Sequence, residues 1–133
     1  MSESISQFAY IAIAVKNLEK AASFFADTFG GVIHKYGGVE SEGYKDVFVK
    51  IGNFNLYLME PLKEDSVIGR YIAKHGEGIH HICFKYEDYH KAVAGLKEKD
   101  LQILERNGDF SFVHPKDAFG VLIELAPVPN SPQ

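Results

Sequence analysis

Cysteine is almost absent from this sequence, because Cys83 is the only one among 133 residues. An intramolecular disulfide therefore cannot form, and a cluster of thiolate metal ligands cannot be built. Positive charge is also scarce: 14 Lys and Arg residues stand against 18 Asp and Glu residues and give a formal net charge of −4. Nucleic acids and anionic membranes bind clustered Lys and Arg, so we expect neither as a partner.

Long apolar runs are lacking as well. No stretch approaches the roughly 20 residues that a membrane-spanning helix requires. The opening segment MSESISQF is polar, without the basic start and apolar run of a signal peptide, so we expect a cytoplasmic location. The composition that remains, 46% hydrophobic and 24% charged, is that of an ordinary globular protein. Residues 1–133 are therefore predicted to form a single domain.

The spacing of apolar residues predicts two copies of one structural unit. Each copy contains a strand, a helix and three further strands, over about residues 7–61 and 79–127, with a connector helix over about 63–77. Residues 9–21 align without a gap on residues 80–92, and LYLMEP matches IELAP with a one-residue slip. Residues 37–43 are predicted as a flexible acidic loop. The predicted fold class is α+β, with two tandem βαβββ modules forming a curved mixed sheet around a central cup.

Alternation along the strands predicts which side chains face that cup. In the first strand, Ile13 and its neighbours of the same parity face the helix, which leaves Tyr10 on the opposite side. His81 has the equivalent position in the second copy. Tyr57 and Glu124 correspond in the same way in the last strands of the two copies. These four cup-facing side chains are therefore predicted to converge.

Glu124 stands out because it lies inside the apolar strand GVLIELA. An uncompensated carboxylate there costs several kcal/mol, so a metal ion, a cationic or hydrogen-bonding neighbour, or protonation is required. Each of these favours a functional role, and a structural carboxylate paired with Tyr or Lys is the alternative. His81 fits a metal ligand, an acid-base group or a hydrogen-bonded core histidine. Tyr10 and Tyr57 fit either ligand contact or cavity filling.

The runs IHHI, HPK and VLIEL, together with the opening IAIAVKNLEKAASFFADTFGG, resemble the vicinal oxygen chelate superfamily of glyoxalase, bleomycin resistance and dioxygenase proteins. Within it, the sequence is most similar to methylmalonyl-CoA epimerases, over about residues 7–127. The resemblance implies paired βαβββ modules and a divalent metal (Co, Mn, Ni, Zn or Fe) held by four side chains. The matching positions are Tyr10, Tyr57, His81 and Glu124. Only His81 and Glu124 keep the ligand type, since tyrosine replaces the usual His and the usual Gln or Glu.

This replacement has a chemical consequence. A neutral phenol is a poor ligand for a hard divalent ion, so His81 and Glu124 alone would hold a metal weakly. Two phenols are instead suited to donate hydrogen bonds to an enolate oxygen, as Tyr10 and Tyr57 are predicted to do. The resemblance also implies a second catalytic carboxylate, for which Glu42 is the candidate, and a role for Lys116 in contacting a ligand phosphate. It further implies a homodimer.

Together these features predict an epimerase-like or isomerase-like enzyme that acts through an enolate on a small acyl-CoA thioester or a related carbonyl compound. The alternative is a non-catalytic protein that binds an aromatic or antibiotic-like molecule in the same cup. A ring-cleaving dioxygenase or a glyoxalase-type lyase is the third hypothesis. A dioxygenase needs three facial metal ligands, and the sequence shows two.

Overall fold

The computed structural model describes residues 7–106 and 108–128. These residues form eight strands and three α-helices, which follow one another as β1 (Gln7–Ala14), α1 (Leu18–Phe29), β2 (Val32–Val39), β3 (Tyr44–Ile51), β4 (Phe54–Pro61), α2 (Val67–His75), β5 (Gly78–Tyr86), α3 (Tyr89–Lys97), β6 (Ile103–Glu105), β7 (Ser111–Val113) and β8 (Ile123–Pro127). Short 3-10 helices lie at Glu40–Glu42 and Pro115–Asp117. None of the helices in this part of the chain is long and apolar enough to span a bilayer.

The chain divides into two compact units. The first unit is Tyr10–His80, and the second unit comprises residues 7–9, 81–106 and 108–128 of the described chain. The predicted α+β class and the two βαβββ modules are confirmed, because β1-α1-β2-β3-β4 and β5-α3-β6-β7-β8 repeat one element order. The single domain over residues 1–133 stays a prediction, and its ends at 1–6 and 129–133 lie outside the described residues.

The first unit is built on a mixed sheet with strand order β2-β3-β4-β1. β1 runs parallel to β4, and β3 is antiparallel to both of its neighbours. The helix α1 begins where the Asn17 side chain accepts a hydrogen bond from the Lys20 N–H, and it ends at Gly30 with φ 77°. Its apolar side packs on one face of the sheet in a core that contains Leu18, Ala22, Val47, Val49 and Leu58.

The opposite face of this sheet is partly covered by the connector helix α2. Ser66 caps α2 by accepting a hydrogen bond from the Gly69 N–H at 3.0 Å. Ile68 then packs into a second core with the side chains that alternate with the α1 core, namely Ala12, Ala14, Tyr57 and Met59. The connector predicted over about residues 63–77 is therefore a packed element of the first unit.

The second unit has the matching strand order β5-β8-β7-β6, with β5 parallel to β8 and the other pairs antiparallel. Asp88 caps α3, whose Ala92 and Val93 pack with Val113 and Leu125. The register confirms the internal repeat. Ala12 pairs with Tyr57 in the first unit, and the repeat-equivalent residues Cys83 and Glu124 pair in the second.

The loop predicted at residues 37–43 is wrong for residues 37–39, whereas residues 40–43 do connect β2 to β3. β2 continues to Val39, with Gly37 opposite Asp46 and Gly38 opposite Lys45, and a 3-10 turn follows. A Cβ at Gly38 would lie 2.9 Å from the Lys45 Cα, so glycine here permits two strands to pair closely. The glycines were a signal of close strand pairing, which the sequence pattern does not distinguish from a loop.

Candidate functional site

Three aromatic rings form a contiguous cluster on one face of the first unit's sheet. Phe48 and Tyr57 are register partners on β3 and β4, and their rings stack with centroids 4.6 Å apart. Tyr10 on β1 lies against both, 4.9 Å from Tyr57 and 5.5 Å from Phe48. We call these three residues the aromatic cluster. It holds the Tyr57 ring in a fixed position, because each of its two partners contacts it directly.

The hydroxyl of Tyr57 is hydrogen-bonded to the Asp46 carboxylate. It donates to Asp46 Oδ2 at 2.5 Å, and the Tyr57 side chain is only 9% exposed. Burial, followed by hydrogen bonds with Asp46 and Tyr44, raises the pKa of Tyr57 far above its ordinary value. Tyr57 therefore remains a neutral phenol, and it donates its single hydroxyl proton in the hydrogen bond to Asp46.

Asp46 was not among the candidates predicted from the sequence. Its strand YKDVFVKI contained the necessary signal, because Val47 and Val49 alternate with it and pack in the α1 core. The same alternation places Asp46 on the other face, beside Phe48. Glu124 was identified because it is a carboxylate within an apolar strand, and the same criterion would have identified Asp46.

The second unit brings together His81 and Glu124, the two residues that keep the family's ligand type. His81 Nε2 lies 3.1 Å from Glu124 Oε1, and the exposed fractions of the two side chains are 5% and 14%. Phe112, the register partner of Glu124 on β7, meets the imidazole edge-on at 5.6 Å. The predicted hydrogen-bonding neighbour of Glu124 is therefore found, and with the proton on Nε2 the imidazole donates to the carboxylate.

The other predicted residues lie at the surface. Glu42 is exposed in the 3-10 turn before β3. Lys116 is exposed in the turn after β7, where its backbone N–H donates to His114 Nδ1. His80 meets Tyr71 of α2 edge-on, with ring centroids 4.8 Å apart. The roles predicted for Glu42 and Lys116 stay predictions.

The side chains at the four family positions do not fit the divalent centre that the resemblance implies. Within residues 7–106 and 108–128, no group of three or more His, Cys, Asp or Glu side chains is arranged to hold a metal ion. His81 and Glu124 supply two ligand-type atoms and are bonded to each other. Tyr57 supplies a neutral phenol committed to Asp46, and such a group is a weak ligand for a hard divalent ion.

Comparison with known proteins agrees with this architecture. The sequence model of the Glyoxalase/Bleomycin resistance protein/Dioxygenase superfamily matches residues 10–119. The mitochondrial methylmalonyl-CoA epimerase of Mus musculus is 36% identical over 124 residues, covering 87% of this chain and 70% of that protein. The ethylmalonyl-CoA/methylmalonyl-CoA epimerase of Cereibacter sphaeroides is 33% identical over 133 residues, covering 93% and 99%.

A solved structure shows the same fold. A substituted form of the Streptomyces coelicolor methylmalonyl-CoA epimerase, in complex with 2-nitronate-propionyl-CoA, matches with a TM-score of 0.85. The two sequences are 33% identical, and the match covers 93% of this chain and 98% of that one. The resemblance predicted from the sequence is confirmed, and the chain belongs to the glyoxalase/bleomycin resistance protein/dioxygenase superfamily.

Proposed function

We propose that this protein is an epimerase that inverts the α-carbon of a short branched malonyl-CoA thioester, with methylmalonyl-CoA as the first substrate to test. The observation that supports it is the His81–Glu124 pair, a largely buried carboxylate held by an imidazole at 3.1 Å. Relatives that cover most of this chain are named methylmalonyl-CoA or ethylmalonyl-CoA epimerases, which supports the substrate class.

The chemistry requires two groups that exchange protons with carbon. One base takes the proton from Cα, and the electron pair of that C–H bond moves to the thioester oxygen to form an enolate. An acid on the other face then returns a proton to Cα, and the bond forms with inverted configuration. General acid-base groups of this kind contribute about 10²- to 10⁴-fold each. We assign one of the two roles to Glu124.

For the second role we propose Asp46 in preference to Glu42. Asp46 is half-buried and fixed by the Tyr57 hydroxyl, whereas Glu42 is exposed in a turn. A carboxylate that already has a fixed donor loses less orientational freedom when it meets the reacting carbon. Tyr10 keeps its predicted role as a donor to the enolate oxygen.

The test is exchange of the α-proton in deuterated water. The protein is incubated with methylmalonyl-CoA, and in parallel with ethylmalonyl-CoA, with and without added Co²⁺, while NMR follows the Cα–H signal. We expect deuterium to replace the α-proton faster than in buffer alone. Absence of exchange with both thioesters under both conditions removes the proposal. Thermal stabilisation by an aromatic ligand, without turnover of either thioester, would then support the binding-protein alternative.

Three further features are proposed on the resemblance alone. A small acyl-CoA is the partner molecule, Lys116 contacts one of its phosphates, and the protein acts as a homodimer. The exposed position of Lys116 in the turn at Pro115–Asp117 is compatible with such a contact. Weaker substrate binding by Lys116→Ala, with an unchanged rate at saturation, would support it.

A further inference from the structure

We propose that Tyr57 is a positioning residue that orients the Asp46 carboxylate for proton transfer. The inference rests on the proposed function, because it concerns a residue that acts in that reaction. It assigns Tyr57 a role other than metal ligand or donor to the enolate. The basis is the hydrogen bond from the Tyr57 hydroxyl to Asp46 Oδ2.

The donor is fixed by the fold. The Tyr57 ring stacks on Phe48 at 4.6 Å and contacts Tyr10 at 4.9 Å, and the side chain is almost fully buried. A ring packed on two sides keeps its hydroxyl in one place. The Asp46 side chain, which has two rotatable bonds, is therefore held by a donor that does not move with it.

The bond leaves one carboxylate oxygen for the reaction. Oδ2 accepts from Tyr57, while Oδ1 lies beside Gly37, the register partner of Asp46 on β2. A Cβ at Gly37 would lie 3.2 Å from Oδ1, closer than an ordinary van der Waals contact. Glycine at this position therefore leaves Oδ1 uncrowded, and we assign the proton transfer to that oxygen.

A direct donor role for Tyr57 conflicts with this geometry. A phenol has one proton to donate, and Tyr57 already donates that proton in its hydrogen bond to Asp46. Donation to an enolate would break the bond and leave the carboxylate without its fixed partner. The effect of Tyr57 on the reaction should therefore pass through Asp46, which is a property that double-mutant cycles measure.

The test uses Tyr57→Phe, which keeps the ring contacts and removes the hydroxyl. We expect kcat for epimerisation of methylmalonyl-CoA to fall about 10- to 100-fold, while KM changes by less than about threefold. In an Asp46→Asn background the same substitution should change kcat by less than about twofold. Tyr71→Phe is the matched control, because it removes a hydroxyl that donates to the Ile79 carbonyl at 2.7 Å outside the aromatic cluster.

A second measurement does not depend on turnover. The Tyr57 hydroxyl proton should give a low-field NMR signal that is present in the wild-type protein and in Tyr71→Phe, and absent in Tyr57→Phe. Absence of the signal in the wild-type protein overturns the inference. A normal kcat in Tyr57→Phe overturns the positioning role alone, as does an equal loss in the Asp46→Asn background. Absence of exchange in the wild-type protein removes the proposed function, and the positioning role with it.

Discussion

Tyr57 and Glu124 occupy the same register position in the two units, since Tyr57 pairs with Ala12 between β4 and β1 and Glu124 pairs with Cys83 between β8 and β5. The strand pairing is thus the same, residue for residue, in the two units, while the side chains at this position differ. One unit carries a phenol that donates to a carboxylate, and the other carries a carboxylate beside an imidazole. Each half can therefore be perturbed separately, and the predictions below do so.

Metal binding is the first property to measure. We expect the purified protein to hold less than one divalent ion per chain, and added Co²⁺ to leave the melting temperature unchanged. The reason is that tyrosines, Tyr10 and Tyr57, occupy two of the four ligand positions, and a phenol is a weak ligand for a hard divalent ion. The Tyr57 hydroxyl is in addition hydrogen-bonded to Asp46. Elemental analysis after gel filtration and thermal unfolding provide the two readings. A stoichiometric ion that disappears in Glu124→Ala would contradict this prediction.

Glu124→Gln should abolish most of the epimerisation activity, because inversion of the α-carbon requires both acid-base groups. The amide keeps the size of the side chain but cannot accept a proton from carbon, so the rate should fall about 10²- to 10⁴-fold. Glu105→Gln is the matched control, because Glu105 is an exposed carboxylate bonded to Lys97 Nζ at 2.7 Å. Equal rates for the two variants would show that Glu124 does not take part in the reaction.

His81→Ala should lower the free energy of unfolding by about 1–3 kcal/mol, because it removes one hydrogen bond from the largely buried Glu124 carboxylate. The comparison is His90→Ala. The His90 side chain is 82% exposed and 3.8 Å from Asp109, so its loss should cost no more than about 0.5 kcal/mol. Urea unfolding of the two variants gives the difference. A smaller loss for His81→Ala than for His90→Ala would contradict the structural role of the pair.

The division of side chains between the two sheet faces could be predicted from the sequence. Alternation placed Ile13 toward the helix and Tyr57 on the cup-facing side, and the two cores confirm this division. The bond between Tyr57 and Asp46 could not be predicted in this way. It depends on the pairing of β3 with β4, which sets Phe48 opposite Tyr57 and Asp46 two residues away. Register of this kind is determined by tertiary packing and is not visible in either strand alone.

The position of α2 was likewise beyond the sequence pattern. The spacing of apolar residues predicted its existence, since that spacing is a local signal. Its packing by Ile68 against Ala14 and Met59 depends on a sheet face that forms only after the strands have paired. The sequence predicted that this face of the sheet lines the ligand cup. In the structure, α2 covers part of the face.

The stability of the protein should fall with rising pH above about 10, and less so in Tyr57→Phe. The pKa of Tyr57 is raised in the folded state, first by burial and then by its bond to Asp46. The folded chain therefore keeps a proton that the unfolded chain releases above its own pKa. This contribution is complete below that pKa and is lost at up to about 1.4 kcal/mol per pH unit above it.

The measurement is urea unfolding of both proteins at pH values of about 9, 10 and 11. The wild-type protein should lose more stability than Tyr57→Phe over the upper step. Identical slopes would show that the Tyr57 hydroxyl is not protected in solution. The melting temperature of each protein near neutral pH serves as the common reference.

Two helical glycines should respond oppositely to the same substitution. Alanine is favoured over glycine inside helices by about 0.5–1 kcal/mol. At Gly95 of α3 an added Cβ meets nothing within 4 Å, so Gly95→Ala should stabilise the protein by about that amount. At Gly69 of α2 the Cβ would lie 2.4 Å from the Lys63 carbonyl oxygen and 2.5 Å from that of Glu64.

Both of these contacts are with backbone atoms, which cannot move away by a change of rotamer as a side chain can. Gly69→Ala must therefore displace α2 or the segment before it, and we expect a loss of about 1–3 kcal/mol. Because Ile68 packs next to this position against Met59, the displacement should also loosen the face of the sheet that α2 covers. Chemical unfolding of the two variants tests both signs. Stabilisation by Gly69→Ala would show that α2 does not pack against residues 63–64 as described.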